Sequence, residues 1–475
     1  MLFRSDIINC SWGSSSKSEA EHEILNAAIS FGSAIVAAAG NDNMNTSYYP
    51  AGYKGVMSVA AVDTSDTKAY FSNYNRTVDV SSPGTEILST VPDSTYSYMD
   101  GTSMATPIAA GVASMVKLMF PNYNYLQIIE HIKATAISID AKNPQYSGNL
   151  GTGRVDAYAA VSNEDVRSVT LNNYSYTDTN NDGVLDIGET IEISCEFLNV
   201  LKPVKNARVK ARSMSLFKPQ FIVSEVELGD LQTNDLKIPK DKFSFVVPEN
   251  IPIDYTMDIE FFVTDDNGFC GRELVPFVFR PSYRTMDANN ISVTFNSIGN
   301  IGFNDYSNNE QGKGFIYGNS QNLLFEGALM IGVSPYKISN VARGSNQSYK
   351  DLSFSTDNIF ILKNPGNEAE LEGMANFNDL SFLDGIGVDI KQTVYQFNED
   401  GKKDFIICVY DIHNKSDNDF DSLFVGLFFD WDIGPSGANN QANFDDEYYF
   451  GYVQNVQIDT IPLAGVKMLD RKSVV

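Results

Sequence analysis

GTSMATP, residues 101–107, places a serine in a turn of small residues that runs straight into a long apolar stretch ending near Phe120. Residues 103–120 are apolar nearly all round, which predicts a helix sunk inside a domain. A hydroxyl at the head of such a helix lies near the positive end of the macrodipole and near backbone N–H groups that lack intrahelical partners. Those are the surroundings in which an attacking Ser103 and a developing oxyanion are both stabilised. A serine nucleophile also needs a base, and the chain has only three histidines, His22, His131 and His413.

Outward from this turn, residues 6–163 alternate short apolar runs with helical stretches. DIINCS (6–11), AIVAAAG (34–40), VMSVAAV (56–62) and TVDVSSPG (77–84) read as strands, and the second is apolar throughout. SKSEAEHEILNAAISFG (16–32) reads as a helix with Ile24, Leu25, Ala28 and Phe31 on one face, Glu19, His22 and Glu23 toward water, and Gly32 as its stop. This rhythm implies a parallel sheet covered by helices on both faces.

After residue 163 the period changes to two. In TIEISCEF (190–197), Ile191, Ile193, Cys195 and Phe197 face one way and Glu192, Ser194 and Glu196 the other. Similar runs at FSFVVP (243–248), DIEFFVTDD (258–266) and LVPFVF (274–279), with Gly, Pro, Asn and Asp between them, predict a β-sandwich. A linker around Pro281 leads to a third segment that is again strand-rich. The expected domains are therefore 1–163, 164–284 and 285–475.

Composition bounds the function. Of 475 residues, 43% are hydrophobic and 20% charged, an ordinary globular mixture. Sixty acidic against 34 basic residues give a net charge of −26, which repels phosphate backbones and so argues against a nucleic-acid partner. No apolar run reaches the length of a membrane span, and MLFRSDIINCSWG lacks the layout of a signal peptide. Cys10, Cys195, Cys270 and Cys408 are too scattered for a zinc knuckle, while Cys195 and Cys270 are either a bonded pair or two buried thiols.

NCSWG (9–13), AAAGN (37–41) and DGTSMATP (100–107) together have the logic of acyl transfer, and at these residues the chain resembles the subtilisin-like serine proteases. YYPAGYKGVMSVAAVD (48–63), SPGTEILST (82–90) and GTGRVDAYAAV (151–161) follow the same family order. An α/β-hydrolase elbow is excluded, because Met104 and Ala105 follow the serine where that motif needs a glycine two places on. The resemblance implies an α/β domain with an incomplete subtilisin-like parallel sheet and flanking helices, followed by two β-sandwich-like domains. It makes Ser103 the nucleophile and Asn41 the side-chain donor of the oxyanion hole. Ser11, Trp12 and Gly13 become one wall of a peptide groove, Ala38, Ala39 and Gly40 the other, with Trp12 narrowing its wall and Tyr48 near the pocket floor. Tyr49 and Pro50 match a frequent cis-proline position of the family.

The family's aspartate and histidine precede the groove strand in DTG-like and HGT-like stretches, and neither stretch occurs here. Asp6, His22 and Ser103 reproduce the order, but His22 lies on a polar helix face after that strand. The expectation is thus an N-terminally truncated catalytic domain, inert alone, whose missing N-terminal segment is a required partner. A polypeptide is the expected substrate and the exterior of the cell the expected location, with any signal peptide on the missing part. The rival expectation is a non-catalytic extracellular binding or adhesion protein on a protease-like scaffold.

DTNNDGVLDIGE (178–189) sets Asp178, Asn180, Asp182, the Val184 carbonyl, Asp186 and Glu189 at the spacing of an EF-hand loop, with Gly183 at its sharp turn. No amphipathic helix flanks it, so a structural Ca²⁺ site grafted onto the sandwich is expected. The acidic group Asp430, Asp432, Asp445, Asp446 and Glu447 matches no ligand template, and Trp431 beside it reads as strand core.

Overall fold

A computed structural model of the chain describes residues 5–305, 309, 311–342, 351–434, 437–458 and 463–469. Its first elements are β1 (Ile7–Cys10), α1 (Glu19–Ser30), β2 (Ala34–Ala38), β3 (Val56–Val62) and β4 (Val80–Pro83). The four strands form one parallel sheet in the order β1-β2-β3-β4, in register from Ile7 opposite Ala34 to Val62 opposite Pro83. Strands β2 and β3 are buried at every position, as their unbroken apolar runs require. Strand β1 pairs only with β2 among the described residues, so its other edge is open.

After a hairpin of β5 (Ile87–Val91) and β6 (Thr95–Met99) come α2 (Thr102–Met119), α3 (Tyr125–Thr135) and α4 (Ala157–Ser162). Ala105, Ala109, Val112 and Val116 of α2 and Ile128, Ile129 and Ile132 of α3 pack with Val36, Met57, Val59 and Val80 on one face of the sheet. Leu25 and Ile29 of α1 cover the other face with Cys10, Ile35 and Ala37. Asn124 and Gln127 close a capping box at the head of α3.

Two sequence expectations need correction. Helix α1 buries Leu25, Ala28 and Ile29, whereas Ile24 and Phe31 stand 70% and 74% exposed, because its stripe follows the i, i+3, i+4 set centred on Leu25. Helix α2 is not buried all round. Pro107, Gly111, Ser114, Met115 and Leu118 form an exposed stripe at helical spacing, with Leu118 80% exposed. A uniformly apolar sequence cannot reveal which side of a helix lacks a partner.

Residues beyond 163 build a sandwich from β7 (Val169–Thr177), β8 (Thr190–Asn199), β9 (Val204–Ser213), β10 (Gln220–Val223), β11 (Glu225–Leu231), β12 (Leu236–Lys237), β13 (Phe243–Val246), β14 (Tyr255–Asp265) and β15 (Gly268–Phe279). One sheet runs β10-β13-β8-β12 with β7 on β8, and the other runs β11-β9-β14-β15. Strand β8 buries Ile191, Ile193, Cys195 and Phe197, the alternation its sequence shows, and Phe197 and Phe243 meet Phe261 between the sheets. All four cysteines are free, and burial pushes the Cys195 and Cys270 thiols up to about 12.

The chain divides into two compact units, and the first (1–181, 188–249 and 257–277) holds both the parallel sheet and most of this sandwich. They are joined within it by a buried charge cluster. Lys133 Nζ lies 2.7 Å from Glu130, 3.5 Å from Asp79 and 3.9 Å from Glu273 of β15. Ser168 and Thr170 donate to Glu130 and Glu273, each at 2.5 Å. The second unit (182–187, 250–256 and 278–475) is strand-rich, with one core that includes Val293, Leu329, Ile331, Phe360, Phe377, Ile390 and Val394. Trp431 belongs to that core, stacked on Phe429 and edge-on to Phe315.

Three carboxylates around one lysine make a prediction about stability. Burial raises Asp79 and Glu273, while their attraction to Lys133 opposes that rise. Lys133→Met leaves the carboxylates without their cation and is expected to cost about 3–5 kcal/mol. A carboxylate raised in the fold stabilises below its unfolded pKa, and that contribution is lost as pH rises through the folded value. The Lys133→Met defect in urea unfolding is therefore expected to be larger at pH 8 than at pH 5, and a pH-independent defect would refute this.

Candidate active site

Past Cys10 and Ala37, the ends of β1 and β2 separate into two extended stretches, Ser11–Gly13 and Ala38–Gly40, and both are tied to the first turn of α2. Helix α2 begins at Gly101, whose φ of +154° no side-chain-bearing residue adopts readily, and Gly101 has no side chain to cap the helix. Asn41 supplies the cap from the end of β2, its Oδ1 accepting from Thr102 N and from Thr102 Oγ1, both at 2.9 Å. Thr102 Oγ1 in turn accepts from Gly40 N at 3.2 Å. With Oδ1 so engaged, the Nδ2 donor of Asn41 is turned toward the helix start, 3.8 Å from where a Cβ on Gly101 would stand.

The second tie follows from a proline. Pro107, four residues after Ser103, has no N–H to give the Ser103 carbonyl. Ser11 Oγ donates to that carbonyl instead, at 2.9 Å, and Ser103 Oγ donates to Ser11 O at 3.1 Å. The half-buried Ser103 is thereby held at the first turn of α2 against the Ser11 stretch, while Asn41 is held beside the Ala38–Gly40 stretch.

The loop after Asn41 is fixed from beneath. Asn73 Oδ1 accepts from Asp42 N (2.9 Å) and Met44 N (3.1 Å). Buried Lys68 donates to Asn43 Oδ1 (2.8 Å), Ala69 O (2.9 Å) and Ser72 O (2.8 Å), and burial pushes its amine down to about 8. The Tyr49–Pro50 peptide is cis.

The sequence-predicted residues Ser103, Asn41, Ser11, Trp12, Gly13, Ala38, Ala39 and Gly40 thus come together. Thr102 and Asn73 join them without any sequence signal of their own, although Thr102 stands beside Ser103 in GTSMATP. Trp12 is 55% exposed, so it lends the groove its backbone more than its ring. Among the described residues no imidazole is hydrogen-bonded to Ser103. His22 stacks on Tyr53 with ring centroids 4.5 Å apart, so it is packed rather than freely solvated. His131 is fully buried with Nε2 2.9 Å from Ala160 O, its pKa lowered by burial, and His413 is exposed on a strand of the second unit.

In the acidic loop, Gly183 (φ +76°) makes the expected turn and Asp182 Oδ1 accepts from Val184 N at 2.8 Å. Asp186 Oδ1 accepts from Arg280 Nε at 3.1 Å. Asp178, Asn180, Asp182, Val184, Asp186 and Glu189 are an all-oxygen donor set, suited to a hard cation. Among the described residues, however, no three His, Cys, Asp or Glu converge to hold a metal ion. The guanidinium of Arg280 already neutralises one of the carboxylates.

Residues 3–183 match the model of the subtilase family. Subtilisin BL and subtilisin Savinase of Lederbergia lenta are each 41% identical to the chain over 155 residues, 33% of this chain and 56% of theirs. An alkaline protease of Shouchella clausii is 41% identical over 155 residues, 33% of this chain and 40% of its own length. The chain spans about half the length of the curated relatives it matches. Among solved structures, a protease of Pseudoalteromonas arctica is 36% identical, covering 33% of this chain and 51% of that one with a TM-score of 0.31.

The Thr102 hydroxyl bonds two groups, Asn41 Oδ1 and Gly40 N, and its removal should be felt more than its size suggests. Thr102→Val strands Gly40 N and loosens Asn41, at an expected cost of about 1–3 kcal/mol in denaturant unfolding. Thr102→Ser keeps the hydroxyl and should lose less than half of that. Equal losses in the two variants would contradict the role given to the hydroxyl.

Proposed function

We propose that this chain, whose residues 3–183 carry the framework of a subtilase-type serine peptidase, supplies the nucleophile half of an endopeptidase acting outside the cell. The observation that carries the proposal is the joint placement of Ser103 and Asn41 at the head of α2 by Thr102 and Ser11. In this reading Ser103 Oγ attacks a peptide carbonyl and the Asn41 amide receives the oxyanion, with extended substrate lying along Ser11–Gly13 and Ala38–Gly40. The proton of Ser103 needs an acceptor, and the described residues bring none to it. We therefore assign the base and its orienting carboxylate to a polypeptide segment outside residues 1–475. The outer edge of β1, which has no partner strand among the described residues, and the exposed stripe Pro107, Gly111, Ser114, Met115 and Leu118 on α2 support such a segment.

Without a base the chain alone is expected to react very slowly, since loss of the histidine costs subtilisin about 10⁶ in kcat. Addition of a segment bearing the histidine and aspartate, fused or as a complementing fragment, should restore labelling of Ser103 by a peptidyl phosphonate. Ser103→Ala should abolish the labelling, and Asn41→Ala should slow turnover of the complemented enzyme about 10²–10³-fold, the cost of losing one oxyanion donor in subtilisin. A folded, complemented protein that binds peptide without labelling would instead support a non-catalytic binding protein.

We also propose that the loop of Asp178, Asn180, Asp182, Val184, Asp186 and Glu189 takes up Ca²⁺, with Asp186 shared between the ion and Arg280. Calcium at about 100 times its Kd should then stabilise the fold by about 2.7 kcal/mol, read as a raised unfolding midpoint that chelator reverses. Asp182→Ala should remove the shift, and an unchanged wild-type midpoint in millimolar Ca²⁺ would rule the ion out.

A further inference from the structure

We infer that Tyr48 restricts the substrate to a small side chain, that of glycine, alanine or serine, at the residue whose carbonyl Ser103 attacks. This rests on the endopeptidase reading above and names the substrate class of that same groove. A peptide whose carbonyl carbon meets Ser103 Oγ and whose carbonyl oxygen meets the Asn41 amide must direct that residue's side chain between the two walls. One wall carries Ser11, bonded to Ser103, and the other carries Gly40, bonded to Thr102. Each wall has a glycine at this level, Gly13 and Gly40, and two facing glycines would ordinarily leave a wide slot for a large side chain.

Here the slot is filled from within the chain. A Cβ on Gly13 would stand 2.6 and 2.7 Å from Cε1 and Cδ1 of Tyr48, and one on Gly40 would stand 3.0 Å from Cγ of the same ring. The phenol ring therefore spans the slot and touches both walls. Behind it the slot is closed by Asn73, fully buried, whose Nδ2 lies 2.2 Å from that same Cβ position on Gly40. Nor is the ring on a loose tether. Tyr49 N donates to Ser14 O and Ser14 N to Tyr49 O, both at 2.8 Å, and Gly52 N donates to Tyr48 O at 2.8 Å. The backbone that carries the ring is thereby bonded to the residue next to the Ser11–Gly13 wall. A side chain at Gly13 would meet Tyr49 O as well as the ring, and one at Gly40 would meet Asn73 as well as the ring, so neither wall can recede to widen the slot. A slot occupied by the ring favours the smallest side chains, and each surplus methylene in a filled slot costs about 10–200-fold in discrimination.

The test uses the 475-residue chain and needs no catalysis. Product-like tetrapeptides of one sequence, ending in alanine or in phenylalanine carboxylate, are titrated against it with the fluorescence of Trp12, in the groove wall, as the reporter. Wild type should bind the alanine peptide at least tenfold more tightly, and Tyr48→Gly should shift the ratio at least tenfold toward phenylalanine. Tyr48→Ala serves the same purpose if the glycine variant does not fold, and Tyr48→Phe should keep the wild-type ratio. Equal affinity of wild type for both peptides, or a ratio unmoved by opening the slot, overturns the assignment of Tyr48 and leaves the endopeptidase reading standing. If neither peptide binds wild type, the groove reading fails and takes this inference with it.

Discussion

The hydroxyl of Thr102 is the constraint on which the site depends. It is donor to Asn41 Oδ1 and acceptor from Gly40 N at once, so one atom fixes the end of β2 to the head of α2. Its own backbone N–H, an orphan of the first helical turn, is satisfied by the same Asn41 carbonyl oxygen. Gly101 cannot cap the helix, and a local cap such as serine would compete for the N–H that orients Asn41. The amide of Asn41 is thereby held with its Nδ2 toward the helix start, so what anchors Asn41 matters as much as its identity.

The second constraint shows the same economy. A proline inside a helix leaves a carbonyl without its usual partner, a loss that elsewhere bends or breaks the helix. Here the carbonyl left free is that of Ser103 itself, and Ser11 fills the gap while accepting from the Ser103 hydroxyl. The Ser11 stretch and Ser103 are thus each other's partners.

Much of this was legible in the sequence because it rests on local pattern. Unbroken apolar runs marked β2 and β3, strict alternation marked β8, and the small-residue turn before an apolar stretch marked the head of α2. The grouping of Ser103, Asn41 and the Ser11–Gly13 and Ala38–Gly40 stretches follows from the family resemblance, whose motifs lie after β1, after β2 and at the head of α2. What escaped depends on what stands opposite. The bare side of α2 and the exposure of Ile24 and Phe31 are set by which neighbours are present, and an apolar sequence is silent on that. Thr102 was passed over because its role is a cross-chain bond to residues 61 and 62 positions away. Lys68, buried against neutral acceptors and the rings of Tyr74 and Tyr146, looks in sequence like any surface lysine.

The four-stranded sheet has its own core on both faces, and the sandwich adds further ties to it. Val166, Val200 and Leu201 pack with Tyr123 and Leu126 beside α3, and Gln127 donates across to Val200 O at 3.1 Å. Arg76 meets Asp258 at 2.9 Å, and Lys133 gathers carboxylates from α3, from the approach to β4 and from β15. Asp79 carries this link into the sheet, because its Oδ2 accepts from Ser58 N in the middle of β3. Burying a lysine among three carboxylates is costly, and the arrangement is stable only while both layers contribute their share. The sandwich is therefore built into the same compact unit as the parallel sheet rather than appended to it. It steadies α3, α3 packs against α2, and the head of α2 is where Ser103 and Asn41 must remain in register.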